Sequence, residues 1–173
     1  MYKMTSKKLK YMVILLYQNK KEKGLKRQNN ERHKREDITM SVVKELIRTE
    51  ENGKISFGNY ELAQKSKVSD FEYDGDIYKV KTYKEITKLE RNGMFVYESV
   101  PGTTVLDLEE KEDKMSFAVE GPQDAQITVE MEEDAEYKIV IDKEEAGQMK
   151  TNLGGEAVLQ CRTGAGRAGN CTD

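Results

Sequence analysis

The clearest structural pattern in this chain lies in the stretch Ala135-Glu-Tyr-Lys-Ile-Val-Ile-Asp-Lys-Glu-Glu-Ala-Gly-Gln-Met-Lys-Thr-Asn-Leu-Gly-Gly155. Between Tyr137 and Ile141, every second residue is apolar and its neighbours are mostly polar, which is the period of a half-buried β-strand. A polar turn at residues 142–145 leads into a short strand. A second turn at residues 152–155 then requires a third strand. The stretch predicts an antiparallel meander and places the chain in the all-β class.

The same alternation continues through the body of the chain, residues 40–155. Its strongest hairpin signal is Asn92-Gly93, which separates predicted strands at Ile86–Arg91 and Met94–Val100. Residues 41–48 fit either a short helix or a first strand. Short strands at roughly ten-residue spacing predict a single antiparallel β-sandwich, immunoglobulin-like or jelly-roll.

The first 39 residues differ strongly in charge from the rest. They carry twelve Lys/Arg and four Asp/Glu, a net +8, which leaves −11 for residues 40–173 in a chain of net charge −3. We expect this basic extension to be disordered or partly helical. A signal peptide and a basic nucleic-acid-binding arm are two interpretations of it.

A third interpretation is that residues 1–39 are translated upstream DNA. Residues 35–40 can be encoded by a sequence that places a GGAGG-type ribosome-binding element just before Met40, which would then be the natural start. A peptide-mass map of the native protein tests this hypothesis, because any N-terminal peptide from before Met40 contradicts it.

The pattern changes again after Gly155, where residues 156–173 are predicted to form an irregular tail. One back-translation of residues 156–164, read one nucleotide later, gives Lys-Leu-Ser-Phe-Ser-Val-Glu-Leu, a period-two strand. We hypothesise that the tail is frameshifted, which the nucleotide sequence of the gene tests. Cys161 and Cys171 fit neither a redox pair nor a metal knuckle. They are interpreted as incidental thiols and indicate no oxidising compartment.

The body contains few residues suited to catalysis. The single histidine of the chain is His33, and residues 40–155 contain no cysteine or tryptophan. This composition excludes Ser-His-Asp and Cys-His catalysis and most transition-metal sites in the body. No Walker-type or Rossmann glycine motif is present. We therefore predict no catalytic residue, no metal site and no cofactor.

Carboxylates are the remaining candidates for chemistry. Residues 107–113 and 130–134 are acidic runs near strand ends, and Asp74 and Asp76 flank a turn glycine. Such groups could serve a glycosidase or bind calcium. These acidic residues match no EF-hand or repeat-type calcium motif. The alternative is that they lie in solvent-exposed loops of an acidic protein.

Aromatic residues are candidates for ligand binding. A tyrosine ring offers a flat apolar face with a polar tip, so a sugar-binding platform could use the body tyrosines Tyr60, Tyr73, Tyr78, Tyr83 and Tyr97. The alternative is that these rings pack between the sheets. The ligand-binding residues are left unassigned.

Charge and hydropathy limit the partners. The net −11 after residue 39 argues against nucleic acid. No window has the roughly 18 apolar residues of a membrane span, and the longest apolar run is residues 11–17. We expect a cytoplasmic protein without a membrane partner. A protein partner, a glycan partner and oligomerisation are the alternatives that the sequence leaves open.

The body resembles a family of small acidic proteins from clostridial gut bacteria that are often labelled endosialidase. The resemblance is carried by Val43-Lys-Glu-Leu-Ile-Arg48, Ser56-Phe-Gly-Asn-Tyr60, Tyr78-Lys-Val-Lys-Thr82, Thr87-Lys-Leu-Glu-Arg-Asn-Gly-Met-Phe-Val-Tyr-Glu-Ser-Val-Pro-Gly102 and Tyr137 through Gly155. It implies a start near Met40 and a final Gly-Gly-Lys-Leu-Ser strand. Endosialidases resemble large propeller enzymes, whereas this body has about 125 residues. No catalytic residue of such enzymes maps onto this chain.

These observations predict a non-catalytic β-sandwich binding or assembly module of unknown ligand. One alternative is a carbohydrate-active protein, either a glycan-binding module or an endosialidase-like sialic-acid hydrolase. Another is a structural subunit that oligomerises through its sheet edges. A glycan array and light scattering at several concentrations separate the three.

Overall fold

The protein is an all-β structure. A computed structural model describes residues 10–18 and 42–161. Thirteen strands form there, and no helix. They are β1 Lys10–Gln18, β2 Ile47–Thr49, β3 Ile55–Phe57, β4 Ser66–Tyr73, β5 Asp76–Tyr83, β6 Ile86–Arg91, β7 Met94–Val100, β8 Thr104–Lys111, β9 Lys114–Gly121, β10 Ala125–Glu130, β11 Glu136–Ile141, β12 Glu144–Lys150 and β13 Glu156–Cys161. The predicted fold class is confirmed.

The strands form two sheets that pack face to face. One sheet has the order β12-β11-β1-β9-β8-β3-β2, and the other β13-β10-β7-β6-β5-β4. The core lies between them. There the ring of Tyr97 from the second sheet stands edge-on to Phe57 and Phe117 from the first, with centroids 5.4 and 5.8 Å away. Such aromatic contacts add directional preference to the burial of apolar area.

Tight turns place the strands of the second sheet. Asn92 and Gly93 have φ values of 51° and 79°, and Asp74 and Gly75 have 50° and 84°. Two successive left-handed residues are the geometry of the hairpin turn that follows the natural twist of the strands, and Asn-Gly and Asp-Gly favour it. The predicted hairpin at Asn92-Gly93 is confirmed, its flanking strands have the predicted bounds, and Asp74-Gly75 joins β4 and β5 in a second hairpin.

A polar network is buried within the sandwich where β7 ends. The Thr103 hydroxyl lies 2.9 Å from the Tyr97 hydroxyl and 2.7 Å from that of Ser99. The Thr87 hydroxyl donates to the Thr103 carbonyl oxygen at 2.7 Å and lies 2.8 Å from the Thr82 hydroxyl. Because these threonine and serine side chains are fully buried, each depends on the others for hydrogen bonding.

Gly102 holds the loop after β7 against the turn between β5 and β6. Its amide donates to the carbonyl oxygen of Lys84 at 3.0 Å. A methyl group at this position would overlap the carbonyl oxygen of Tyr83. The close approach of the two backbones therefore requires glycine here.

The expectation of a disordered or partly helical N-terminal extension is wrong for Lys10–Gln18. These residues form β1, which lies between β9 and β11 and runs parallel to both, so the larger sheet is mixed rather than purely antiparallel. Ile14 of β1 is fully buried in the core. Residues 1–9 and 19–41, which include the proposed start at Met40, lie outside the described residues. That residues 1–39 are translated upstream DNA stays a prediction.

The expected irregular tail is also wrong for its first six residues. Glu156–Cys161 forms β13 and pairs antiparallel with β10. Ala157, Leu159 and Cys161 are buried at every second position, so Cys161 is a core residue rather than an incidental thiol of a disordered tail. Cys171 lies outside the described residues, and the frameshift hypothesis stays a prediction.

Two further features concern helices. Within residues 41–48, where a helix or a strand was predicted, the described residues 42–48 form a turn followed by the start of the short strand β2. Over the ranges 10–18 and 42–161, no helix is long and apolar enough to span a membrane.

Candidate functional site

A cleft of about 500 Å³ opens between the two sheets, close to the turn that joins β8 to β9. Apolar side chains of both sheets contribute to its lining, among them Val96 of β7 and Met115 of β9. Charged side chains contribute as well, mainly from β8, β9 and the end of β10. This volume falls within the range of small-ligand sites, about 300–1,000 Å³. We call it the Arg91 cleft.

An ion pair links the two sheets in this cleft. The Nη1 atom of Arg91, the last residue of β6, lies 2.8 Å from Oε2 of Glu110 in β8. Both side chains also line a smaller cavity of about 260 Å³. The pair is partly solvent-exposed, so it contributes little to stability, on the order of 1 kcal/mol or less. Its main effect is to fix the position of a positive charge.

Burial and charge shift the ionisation of groups around Arg91. Burial alone would lower the pKa of Arg91, but Glu110 and the Tyr78 hydroxyl raise it above its ordinary value. Burial also raises the pKa of Tyr78 and that of Tyr137, and Glu110 adds to the second shift. At neutral pH the cleft therefore presents a charged guanidinium and the neutral phenol of Tyr137, while the neutral phenol of Tyr78 lines the smaller cavity.

The structure brings the two predicted acidic runs together in the cleft. Glu110 and Glu112 come from the first run, and Glu130 and Glu132 from the second. Their arrangement offers no calcium cage, because no group of three or more His, Cys, Asp or Glu within the described residues could hold a metal ion. The carboxylates instead line the cleft as separate acceptors. Asp74 and Asp76, the two acidic residues that flank the glycine of the turn between β4 and β5, line the smaller cavity.

The five candidate tyrosines do not share one surface. Tyr60, Tyr78 and Tyr97 are buried. Tyr73 donates to the carbonyl oxygen of Gly53 at 2.6 Å and packs edge-on against Tyr78, with ring centroids 5.9 Å apart. The Tyr83 hydroxyl donates to Glu85 at 2.7 Å. Most of these rings therefore pack within the fold, and Tyr73 and Tyr78 together line the smaller cavity.

Sequence reasoning missed a second polar site, the buried carboxylate of Glu120. It is only 5% exposed in β9. The Tyr60 hydroxyl donates to its Oε1 atom at 2.7 Å, while no hydrogen-bond partner for Oε2 exists among the described residues. Burial, aided by the nearby charge of Glu61, raises the pKa of Glu120 despite the hydrogen bond from Tyr60. No local pattern marked it, because Glu120 falls on the face of β9 opposite to the inward-facing Met115, Phe117 and Val119, where a polar residue is ordinary.

We expect Glu120→Gln to stabilise the protein at pH 7.5 by about 1 kcal/mol, because an amide can accept the Tyr60 hydrogen bond without burying a charge. The raised folded-state pKa means that charging Glu120 costs stability as pH rises above its ordinary value of 4.5. Below that pH the glutamate is protonated in both states and the advantage disappears. Urea midpoints at pH 4 and pH 7.5 measure the difference in stability between the variant and the parent. Glu98→Gln in β7 is the control. A glutamine variant less stable at pH 7.5 than the parent would contradict the expectation.

The chain was compared with models of protein families, with curated proteins and with solved structures, and none of them matches it.

Proposed function

We propose that this protein is a cytoplasmic, non-catalytic binding or assembly module that holds its partner in the Arg91 cleft. The observation that supports the proposal most is the convergence in one cleft of four glutamates from two separate acidic runs, above an apolar floor that includes Val96 and Met115. Two segments separated in sequence thus supply four carboxylates to one concave surface, beside three basic side chains. Ligand sites combine an apolar lining with a few converging polar groups in this way.

The charges of the cleft favour a basic or neutral polar partner. Its lining carries Glu110, Glu112, Glu130 and Glu132 against Arg91, Lys111 and Lys114. Arg91 is already engaged by Glu110 at 2.8 Å. The glutamates that remain attract lysine or arginine side chains, while Met131 and Tyr137 offer apolar surface to their alkyl stems. A basic segment of a protein partner fits these properties.

We expect the double variant Glu112→Gln/Glu130→Gln to bind basic peptides about five- to tenfold more weakly than the parent, because two attractive charges are removed. The probes are fluorescently labelled nine-residue peptides of basic, uncharged and acidic composition. Fluorescence anisotropy at low and high salt measures their affinity. The matched control is Glu133→Gln/Glu144→Gln, which removes the same charge from exposed positions outside the cleft. Equal affinities for the two double variants would overturn the proposal.

A carbohydrate-active function is the second candidate. The observation that favours it is the combination of Tyr137 in the cleft and the Tyr73–Tyr78 pair in the adjoining cavity with nearby carboxylates. Tyrosine rings contact sugar faces, and carboxylates accept hydrogen bonds from sugar hydroxyls. A glycan array tests for a glycan-binding module. Release of sialic acid from polysialic acid tests for an endosialidase-like hydrolase.

A structural subunit that assembles through sheet edges is the third candidate. β13 is an edge strand of the six-stranded sheet, and its Val158 side chain is 43% exposed. Exposed edges with apolar side chains pair with other strands. Light scattering at several concentrations tests this function.

A further inference from the structure

β1 fills a gap that the rest of the chain leaves open in the seven-stranded sheet. β9 and β11 are both neighbours of β1, and β1 is the strand that separates them among those the structure describes. β10, which connects them along the chain, belongs to the opposite sheet. The chain therefore reaches β11 without closing the gap. Residues 42–161 build a slot one strand wide, with β9 and β11 as its two edges.

The edges of this slot bind β1 through backbone hydrogen bonds. β1 runs parallel to both neighbours, with Lys10–Ile14 in register with Tyr137–Ile141 and Tyr11–Gln18 in register with Lys114–Gly121. The amide of Asp142 also donates to the carbonyl oxygen of Ile14 at 3.0 Å. An empty slot would present two facing rows of backbone groups without strand partners. Such edges take up an added strand.

The slot also selects for apolar side chains. Ile14 is fully buried in the core that lies between the sheets, and it is in register with Phe117. Ala118 of β9, the register partner of Leu15, packs with Val43 and Leu106 in a second small core. A slot with buried apolar residues on both sides of its edge strand favours a continuously apolar occupant, and the sequence of residues 11–17 is such a run.

The connection from β1 to the rest of the sandwich is long. Residues 19–41 join Gln18 to Val42. About 23 residues can extend to about 80 Å, which is about twice the width expected for a domain of this size. The tether can therefore reach a second molecule. Every copy of the chain carries the same β1 and the same slot, so β1 makes the same contacts in its own copy and in a neighbour.

We propose that the slot between β9 and β11 is a strand-docking site for β1 of a second copy, so that two copies exchange β1 and form a reciprocally swapped dimer. Reciprocal exchange fills both slots and leaves no open edge between β9 and β11 in either copy. Because contacts within and between copies are the same, the share of dimer rises with protein concentration. This inference does not depend on the Arg91 cleft.

Disulfide trapping between full-length chains tests the proposal. Val13 of β1 and Ser116 of β9 are direct register partners. Neighbouring strand positions of this kind lie within the distance that a disulfide spans. One chain carries Val13→Cys and the other Ser116→Cys, both in a background with Cys161→Val and Cys171→Ser. The two chains are mixed, unfolded in urea, refolded by dilution at low and at high concentration, and then oxidised.

The mixture is expected to give a covalent heterodimer whose yield rises at least about fivefold at the higher concentration. A chain with Val13→Cys and Ser116→Cys together is expected to give an internal disulfide when dilute. The control mixture pairs Val13→Cys with Thr128→Cys in β10, and it should give no heterodimer above background. Val13→Cys with Val140→Cys repeats the test on the β11 side. The proposal is overturned if the double variant forms its disulfide but the mixtures give no heterodimer, or if the double variant forms none.

Discussion

Replacing Gly102 by alanine is expected to lower the free energy of unfolding by about 3 kcal/mol, because the added methyl group meets backbone rather than a movable side chain. The overlap is with the carbonyl oxygen of Tyr83, and carbon atoms of Tyr83 and Lys84 lie close behind it. The turn cannot withdraw without losing the hydrogen bond from the Gly102 amide to Lys84. Urea unfolding followed by circular dichroism measures the change.

Gly154→Ala is the matched control for this substitution. Neither glycine has a positive φ, and at Gly154 the new methyl group would make only an ordinary contact with the Asn152 side chain. We expect its effect to lie within about 0.5 kcal/mol of zero. Equal losses at the two positions would show that the close approach at Gly102 does not control stability.

Thr103→Val is expected to destabilise the protein by about 2–4 kcal/mol, although the two side chains have almost the same shape. The substitution removes the hydroxyl that lies 2.9 Å from the Tyr97 hydroxyl and 2.7 Å from that of Ser99. Both remaining groups are buried, and leaving such a group without its partner costs about 1–3 kcal/mol. Denaturant midpoints of the variant and the parent measure the loss.

A double-mutant cycle with Tyr97→Phe separates the network from simple loss of packing. Once the phenol is gone, Thr103→Val no longer leaves it unpaired, so its cost should fall by about 1 kcal/mol or more. Thr128→Val, at a partly exposed position of β10, should be nearly neutral. Additive effects within about 0.3 kcal/mol would show that the two hydroxyls do not interact.

Local sequence was sufficient to predict hairpin strands of the six-stranded sheet. Asn92-Gly93 and Asp74-Gly75 take the left-handed conformations of tight hairpin turns, so they fix which strands pair and where they end. The bounds Ile86–Arg91 and Met94–Val100 follow from these turns and from alternation alone. Neither the turns nor the strand bounds depend on residues that are distant in sequence, which is why they could be predicted.

β1 and β13 could not be predicted in this way because their partners are distant in sequence or unexpected in composition. β1 pairs in parallel with strands that lie about 100 residues or more further along the chain, and parallel pairing leaves no turn signal beside it. Its continuous apolar run has no alternation to mark a strand. In β13 alternation is present at Ala157, Leu159 and Cys161, but exposed Val158 masks it.

The Arg91 cleft could be anticipated only in part. Both acidic runs were recognised from composition. Their convergence depends on β8 in one sheet lying opposite the ends of β6 and β10 in the other, which is a property of the sandwich as a whole. Glu120 carried no sequence signal, because it lies on the face of β9 opposite to the inward-facing pattern and its pairing with Tyr60 joins residues 60 positions apart.

The central place of β1 also fixes the order of events during synthesis. β1 leaves the ribosome before the other described strands, whereas its partner strands end at Gly121 and Ile141. At about 5–20 residues per second, the chain is extended for roughly 6–25 s before both partners exist. Until then the slot is incomplete, and this apolar run is a target for chaperones and for aggregation. The earliest of the described strands therefore cannot be paired on both of its edges until β11 has followed.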